Sequence, residues 1–134
     1  MSVPIVEASR LGVMLIDAQR FFWDTMHGAK EPILMRVERL LMLVDWLGLP
    51  LIATFEHPVE TKGWLPERLE RVFPSHGKRF VKRTYDCCSD PAVREAINEM
   101  HLPQFEKRLT RCIFHRWLWQ AQRPTYACSN RRWG

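Results

Sequence analysis

The sequence predicts an alternating α/β fold with a parallel sheet, truncated after its third strand and the helix that follows. Three observations predict it. Two short aliphatic runs, at residues 11–17 and 51–55, have the composition of strands covered on both faces. An amphipathic helix separates them, and strand, helix, strand in that order is a βαβ unit with an expected right-handed crossover. A brief third strand and a capped helix come next, and there the pattern ends.

In chain order, Leu11-Gly-Val-Met-Leu-Ile-Asp17 is almost wholly aliphatic, ends in an acid and is too short for an isolated helix. Glu31-Pro32 opens the long helix, with proline at the first position, where its missing N–H costs nothing. Ile33, Val37, Leu40, Leu41, Val44 and Leu47 recur at one-face spacing, with Arg36, Glu38, Arg39 and Asp45 on the other sides. Gly48 closes the helix and Pro50 bars its continuation. Leu51-Ile-Ala-Thr-Phe55 is the second strand. Residues 58–63 read as a loop, residues 65–72 as a shorter helix with Pro66 in its first turn, and Pro74-Ser-His-Gly77 as a turn. Arg79-Phe-Val-Lys82 is the third strand. Ser89-Asp90-Pro91 caps a last helix with Val93, Ile97 and Met100 as its buried stripe, and Leu102-Pro103 ends it.

A length of 134 residues suits one domain, and 46% apolar residues are too many for a disordered chain. No apolar run reaches the roughly 20 residues that cross a bilayer. The first residues lack a basic stretch leading into an apolar one, so no membrane association and a cytoplasmic location are expected. Cys87, Cys88, Cys112 and Cys128 have neither the spacing of a disulfide scaffold nor a C-x-x-C zinc pair; reduced thiols are expected.

The net charge of +5 is unevenly placed. Residues 1–104 carry 13 Lys and Arg against 14 Asp and Glu, whereas residues 105–134 carry seven against Glu106 alone. That tail also holds Trp117, Trp119 and Trp133, half of the tryptophans. Arginine and aromatic side chains together can grip phosphates and stack on bases, so the tail supports a nucleic-acid reading. The rest of the chain has no basic footprint, and no nucleic-acid partner is expected.

In open parallel sheets, reacting groups gather at the carboxyl ends of the strands. Asp17, Glu56 and His57, and Lys82 all fall there and converge on one rim if the strands are neighbours. These residues resemble a known family. Val13-Met-Leu-Ile-Asp17-Ala-Gln19-Arg-Phe-Phe22 is similar to the first-strand signature of the isochorismatase-like cysteine hydrolases, the group that includes nicotinamidases. Thr54-Phe-Glu56-His57-Pro resembles the loop after that family's second strand, and Phe80-Val-Lys82-Arg-Thr-Tyr-Asp86 its lysine segment. The resemblance runs from about residue 12 to residue 104.

The resemblance implies a Rossmann-like three-layer sandwich and an Asp-Lys-Cys triad acting on a small amide or related metabolite. No cofactor is expected, and homo-oligomers are in view. Asp17 would take the proton of a cysteine thiol and Lys82 would stabilise the charges around it. The thiolate, a stronger nucleophile than the thiol, would attack the substrate carbon. Phe22, Glu56 and His57 are the candidate substrate-binding residues; Glu56 and His57 are equally well read as part of a polar loop. The family's metal-binding branch has an Asp and a His two apart in this loop, whereas Glu56 and His57 are adjacent and point in opposite directions on an extended backbone, so no metal is expected.

Cys112 is the candidate nucleophile. It lies in Phe105-Glu-Lys-Arg-Leu-Thr110-Arg-Cys112-Ile-Phe-His115, where Thr110 and Cys112 resemble the family's cysteine motif only faintly, since its glycine is missing and the spacing does not fit. Glu106-Lys107-Arg108 stands where a buried strand is needed, a costly replacement. Residues 105–134 are therefore expected to be foreign to the pattern, as translation out of frame or a pseudogene would make them. Cys87 and Cys88 are expected to pack as small apolar groups. Three readings follow: a hydrolase, a catalytically inactive relative serving in binding or oligomerisation, and an anion or nucleic-acid binder acting through the tail.

Overall fold

The computed structural model describes residues 7–100. Strands β1 (Val13–Ile16), β2 (Leu51–Glu56) and β3 (Lys78–Lys82) form a parallel sheet in the order β1-β2-β3. β2 is the middle strand, and its first five residues are buried, which is why Leu-Ile-Ala-Thr-Phe carries no polar alternation. Val13 pairs with Leu51 and Ile16 with Thr54; Ile52 pairs with Lys78 and Glu56 with Lys82. This register brings the carboxyl ends of all three strands to one rim.

Among the described residues, five α-helices accompany the sheet: α1 (Arg20–Thr25), α2 (Glu31–Leu47), α3 (Val59–Lys62), α4 (Glu67–Val72) and α5 (Pro91–Glu99). On one face, Leu15, Leu51, Ala53 and Phe55 pack with Val37, Leu41 and Val44 of α2, Leu69 of α4 and Trp23 of α1. On the other, Ile16, Met14 and Phe80 pack with Val93 and Ile97 of α5 and with Cys87. The strand alternation of 13 and 15 against 14 and 16 sorts β1 between these two layers, the pleat rule acting on a doubly covered strand. The expected parallel α/β sandwich is present.

The expected long helix has its predicted limits, with Pro32 in the first turn and Gly48 closing it at φ 61°. Its buried stripe is narrower than expected. Leu40 and Leu47, placed on the core face by their spacing, are about two-fifths exposed, as are Met42 and Leu43 or more so, and Trp46 is 80% exposed. The reason is that the helix is apolar almost all round from Leu40 to Leu47, while the sheet covers only the strip through Val37, Leu41 and Val44.

Two helices depart from expectation. α1 has no periodic signal in the sequence, and α3 occupies the segment whose sequence reads as a loop. Both are too short to show a 3.6-residue period; α3 is a single turn closed by the Lys62 and Gly63 amides on Pro58 and Val59 carbonyls. Pro66 is the N-cap of α4 and lies outside its first turn, accepting from the Leu69 amide at 2.9 Å. At α5 the cap is Asp90, whose carboxylate accepts from the Ala92 and Val93 amides, while Ser89 Oγ turns back to Thr84 and Asp86. The buried residues of α5 are Val93 and Ala96, with Ile97 partly covered. Among the described residues no helix is long and apolar enough to cross a membrane. Leu102-Pro103, the tail at 105–134 and Cys112 lie outside the described residues.

Candidate active site

Asp17 follows β1 directly, and strict alternation would aim it at the layer shared by Val13 and Leu15. It does not point there. Its φ of 51° is left-handed, a region Asp tolerates better than most side chains, and the carboxylate turns instead toward the level of Thr54 and Lys82. Asp17 Oδ2 accepts from Lys82 Nζ at 2.8 Å, and Oδ1 accepts from Thr54 Oγ1 at 3.2 Å. The Asp17 amide donates to the Thr54 carbonyl at 3.0 Å, which continues the β1–β2 ladder one residue past the strand.

Lys82 ends β3 and is fully buried, whereas the Asp17 side chain keeps 19% of its surface. Besides Asp17, the ammonium donates to the Thr84 and Tyr85 carbonyls, both at 3.3 Å. Its charge is thus met by one carboxylate and two carbonyls, the condition under which a lysine can be buried. Burial pushes the Asp17 carboxyl above its ordinary value. The hydrogen bonds from Lys82 and Thr54 pull it down without winning, and the negative charge of Glu56 adds to the rise. A carboxylate with a raised proton affinity and one accessible edge can accept and return a proton.

The rim is held by a residue whose importance the sequence signals only through the signature it belongs to. Gln19 is fully buried; its Nε2 donates to the carbonyls of Glu56 at 3.1 Å and Gly63 at 2.8 Å, and its Oε1 accepts from the Glu56 amide at 2.6 Å. It thereby joins the end of β2 to the turn after α3. The Glu56 side chain pairs with Lys62 at 2.8 Å, and Lys62 Nζ also stands 6.0 Å from the centre of the Phe22 ring. Phe22 and Glu56 are therefore brought together around Lys62, while the His57 side chain is exposed and its backbone amide donates to the Lys82 carbonyl at 3.0 Å.

No family model and no curated protein sequence matches the chain. Solved structures do. The Escherichia coli YcaC gene product, an octameric hydrolase of unknown specificity, superposes with a TM-score of 0.62 at 17% identity, over 74% of this chain and 50% of its own. An isochorismatase from Pseudomonas putida gives 0.54 at 20% identity, over 75% of this chain and 56% of its own. The MAR1 ribonuclease of Caenorhabditis elegans gives 0.60 at 19% identity, over 69% and 47%.

The chain has an isochorismatase-like fold. It spans about half the length of the structures it matches. Within this isochorismatase-like sheet, Asp17 and Lys82 are the two expected catalytic positions that the structure brings into contact, across the intervening strand β2. Thr54, between them on β2, carries no sequence signal of a role; only its register against Ile16 and Phe80 places it there.

Cys87 and Cys88 follow Lys82 in a 3-10 turn (Cys87–Ser89). Cys87 packs in the α5 layer as expected, and Cys88, half-buried, packs against the same layer with its Sγ 4.0 Å from that of Cys87. Hydrogen bonding with Cys87 lowers the Cys88 thiol to about 7, against the opposing effect of burial.

Proposed function

We propose that this chain is a hydrolase of small amides or related carbonyl compounds, with Asp17 as proton acceptor, Lys82 as the charge that stabilises it and Cys112 as nucleophile. The observation that carries the reading is the 2.8 Å contact between the fully buried Lys82 ammonium and the partly accessible Asp17 carboxylate at the carboxyl rim of the sheet. Asp17 takes the thiol proton, the thiolate adds to the carbonyl carbon, and the C–N bond breaks as the amine leaves with the proton from Asp17. Water, deprotonated by Asp17, then releases the acid and restores the thiol. Phe22, Glu56 and His57 are proposed to border the substrate.

The test is amine or ammonia release by the full chain on a panel of small amides. Turnover should be abolished by Asp17→Asn, Lys82→Met and Cys112→Ala. Turnover that survives Cys112→Ala but not Asp17→Asn would remove the cysteine from the mechanism.

The charged Glu106-Lys107-Arg108 stretch before Cys112, and the glycine missing from its motif, favour a second reading: an inactive relative retained for binding or self-association, with residues 105–134 translated out of frame. Absence of turnover across the panel, together with a Gly-Thr-Cys-Val motif in another frame of the coding DNA, would support it. For self-association, the exposed apolar face of α2 is the proposed contact, and the octameric YcaC neighbour is a precedent for the fold.

A further inference from the structure

Spacing alone predicts that no metal binds and that the adjacent cysteines merely pack. Their geometry supports more. Asp86 is the N-cap of the 3-10 turn, and its Oδ1 accepts from the Cys88 amide at 2.9 Å, which holds the carboxylate over the turn. One carboxylate oxygen and the two sulfurs all lie within 4.8 Å of one another. We propose that Asp86, Cys87 and Cys88 form a binding site for a borderline-soft divalent cation of the Zn2+ type.

The distances decide between a cation and the obvious alternative, a disulfide. Two Zn–S bonds of about 2.3 Å meeting sulfurs as far apart as these subtend an angle of about 120°, a small distortion of tetrahedral geometry. A disulfide would require the sulfurs, now 4.0 Å apart, to close by about 2 Å between adjacent residues. The ligand set favours the same class of ion. Two thiolates exclude Mg2+ and Ca2+, which take oxygen ligands, while two sulfurs and one carboxylate leave a fourth position open for water, the arrangement of an accessible zinc site.

Charge supports the assignment as well. With both thiols ionised the three ligands carry three negative charges, and a divalent ion leaves one. Arg94, whose Nε donates to the Cys88 carbonyl at 3.2 Å, stands beside that residual charge. The half-buried position of Cys88 gives the ion a route from solvent. This inference is independent of the hydrolase reading, since none of the three ligands is assigned a part in it.

The probe is Co2+, titrated into the reduced full-length chain under anaerobic conditions and displaced by Zn2+. One Co2+ per chain should bind with a thiolate-to-cobalt charge-transfer band and intense visible absorption. Both should persist in a Cys112→Ala, Cys128→Ala double variant. Cys88→Ser should abolish the charge-transfer intensity of one thiolate and weaken binding by well over the roughly tenfold typical of losing an outer partner of a metal site. Asp86→Asn should weaken binding while leaving the band. Cys88 is only half-buried, so its variant should retain the native far-ultraviolet circular dichroism, and that spectrum is the control. An unchanged band in Cys88→Ser, loss of the band in the Cys112, Cys128 variant, or no band in the parent chain would each overturn the proposal.

Discussion

Lys82 Nζ reaches Asp17 Oδ2 at 2.8 Å over the strand that separates their own strands, and Thr54 of that middle strand donates to the other carboxylate oxygen. Alternate strands stand roughly 9–10 Å apart, so a long side chain on one and a re-aimed short one on the other are both needed for contact. The lysine supplies the reach, and the left-handed turn at Asp17 supplies the aim.

Removing either partner should not cost the same. Asp17→Asn leaves an ammonium with no exposure facing only neutral oxygens, and should destabilise the fold by about 3 kcal/mol or more. Lys82→Met leaves a carboxylate that still touches water and should cost less. The double variant should be more stable than the sum of the two losses predicts. Urea unfolding of the four proteins measures all three quantities.

Asp17 should titrate above the ordinary 3.8, and higher still in Lys82→Met, where its largest opposing influence is gone. Because the folded state holds this proton more tightly than the unfolded one, the group's contribution to stability is complete below 3.8 and is lost as pH rises through the folded value. The carboxyl carbon shift in NMR follows the titration; a value at or below 3.8 in the parent chain would contradict it.

Gln19→Leu should destabilise the protein by about 2–4 kcal/mol, because it strands the amide and carbonyl of Glu56 and the carbonyl of Gly63. Hydrogen exchange should accelerate first at Glu56 and around α3, before the β1–β2 ladder is affected. Uniform acceleration across the sheet would mean that Gln19 is not a local clamp.

In a Cys112→Ala, Cys128→Ala background without added metal, alkylation of Cys88 by iodoacetamide should reach half its limiting rate near pH 7. Adding Cys87→Ala removes the hydrogen bond responsible and should shift the midpoint upward.

Trp46→Glu places a charge at the centre of the exposed α2 face, on a side chain that no core contact holds. It should leave the melting of the fold nearly unchanged and reduce the sedimentation-derived mass if α2 is a self-association surface.

The strands, the long helix and the Asp17–Lys82 rim were legible in the sequence because each has a strong local cause. Aliphatic runs mark buried strands, the Pro32 and Gly48 ends bound α2, and the resemblance names the acid and the lysine. Other features depend on tertiary context. Leu40 and Leu47 have core spacing, but the sheet is not wide enough at α2 to cover them. α1 and α3 are single or near-single turns whose stability comes from Gln19, Trp23 and backbone closure, with no periodic signal to betray them. Thr54 is an ordinary strand residue until register sets it between Asp17 and Lys82.

The two carbonyls that Lys82 holds, those of Thr84 and Tyr85, belong to the segment leading directly into Asp86, Cys87 and Cys88. One ammonium thus anchors the acid of the rim and the start of the thiol turn. If displacing that turn loosens its hold on the ammonium, the proton affinity of Asp17 changes with it, and linkage then requires that protonating Asp17 alter the hold on the turn by the same free energy.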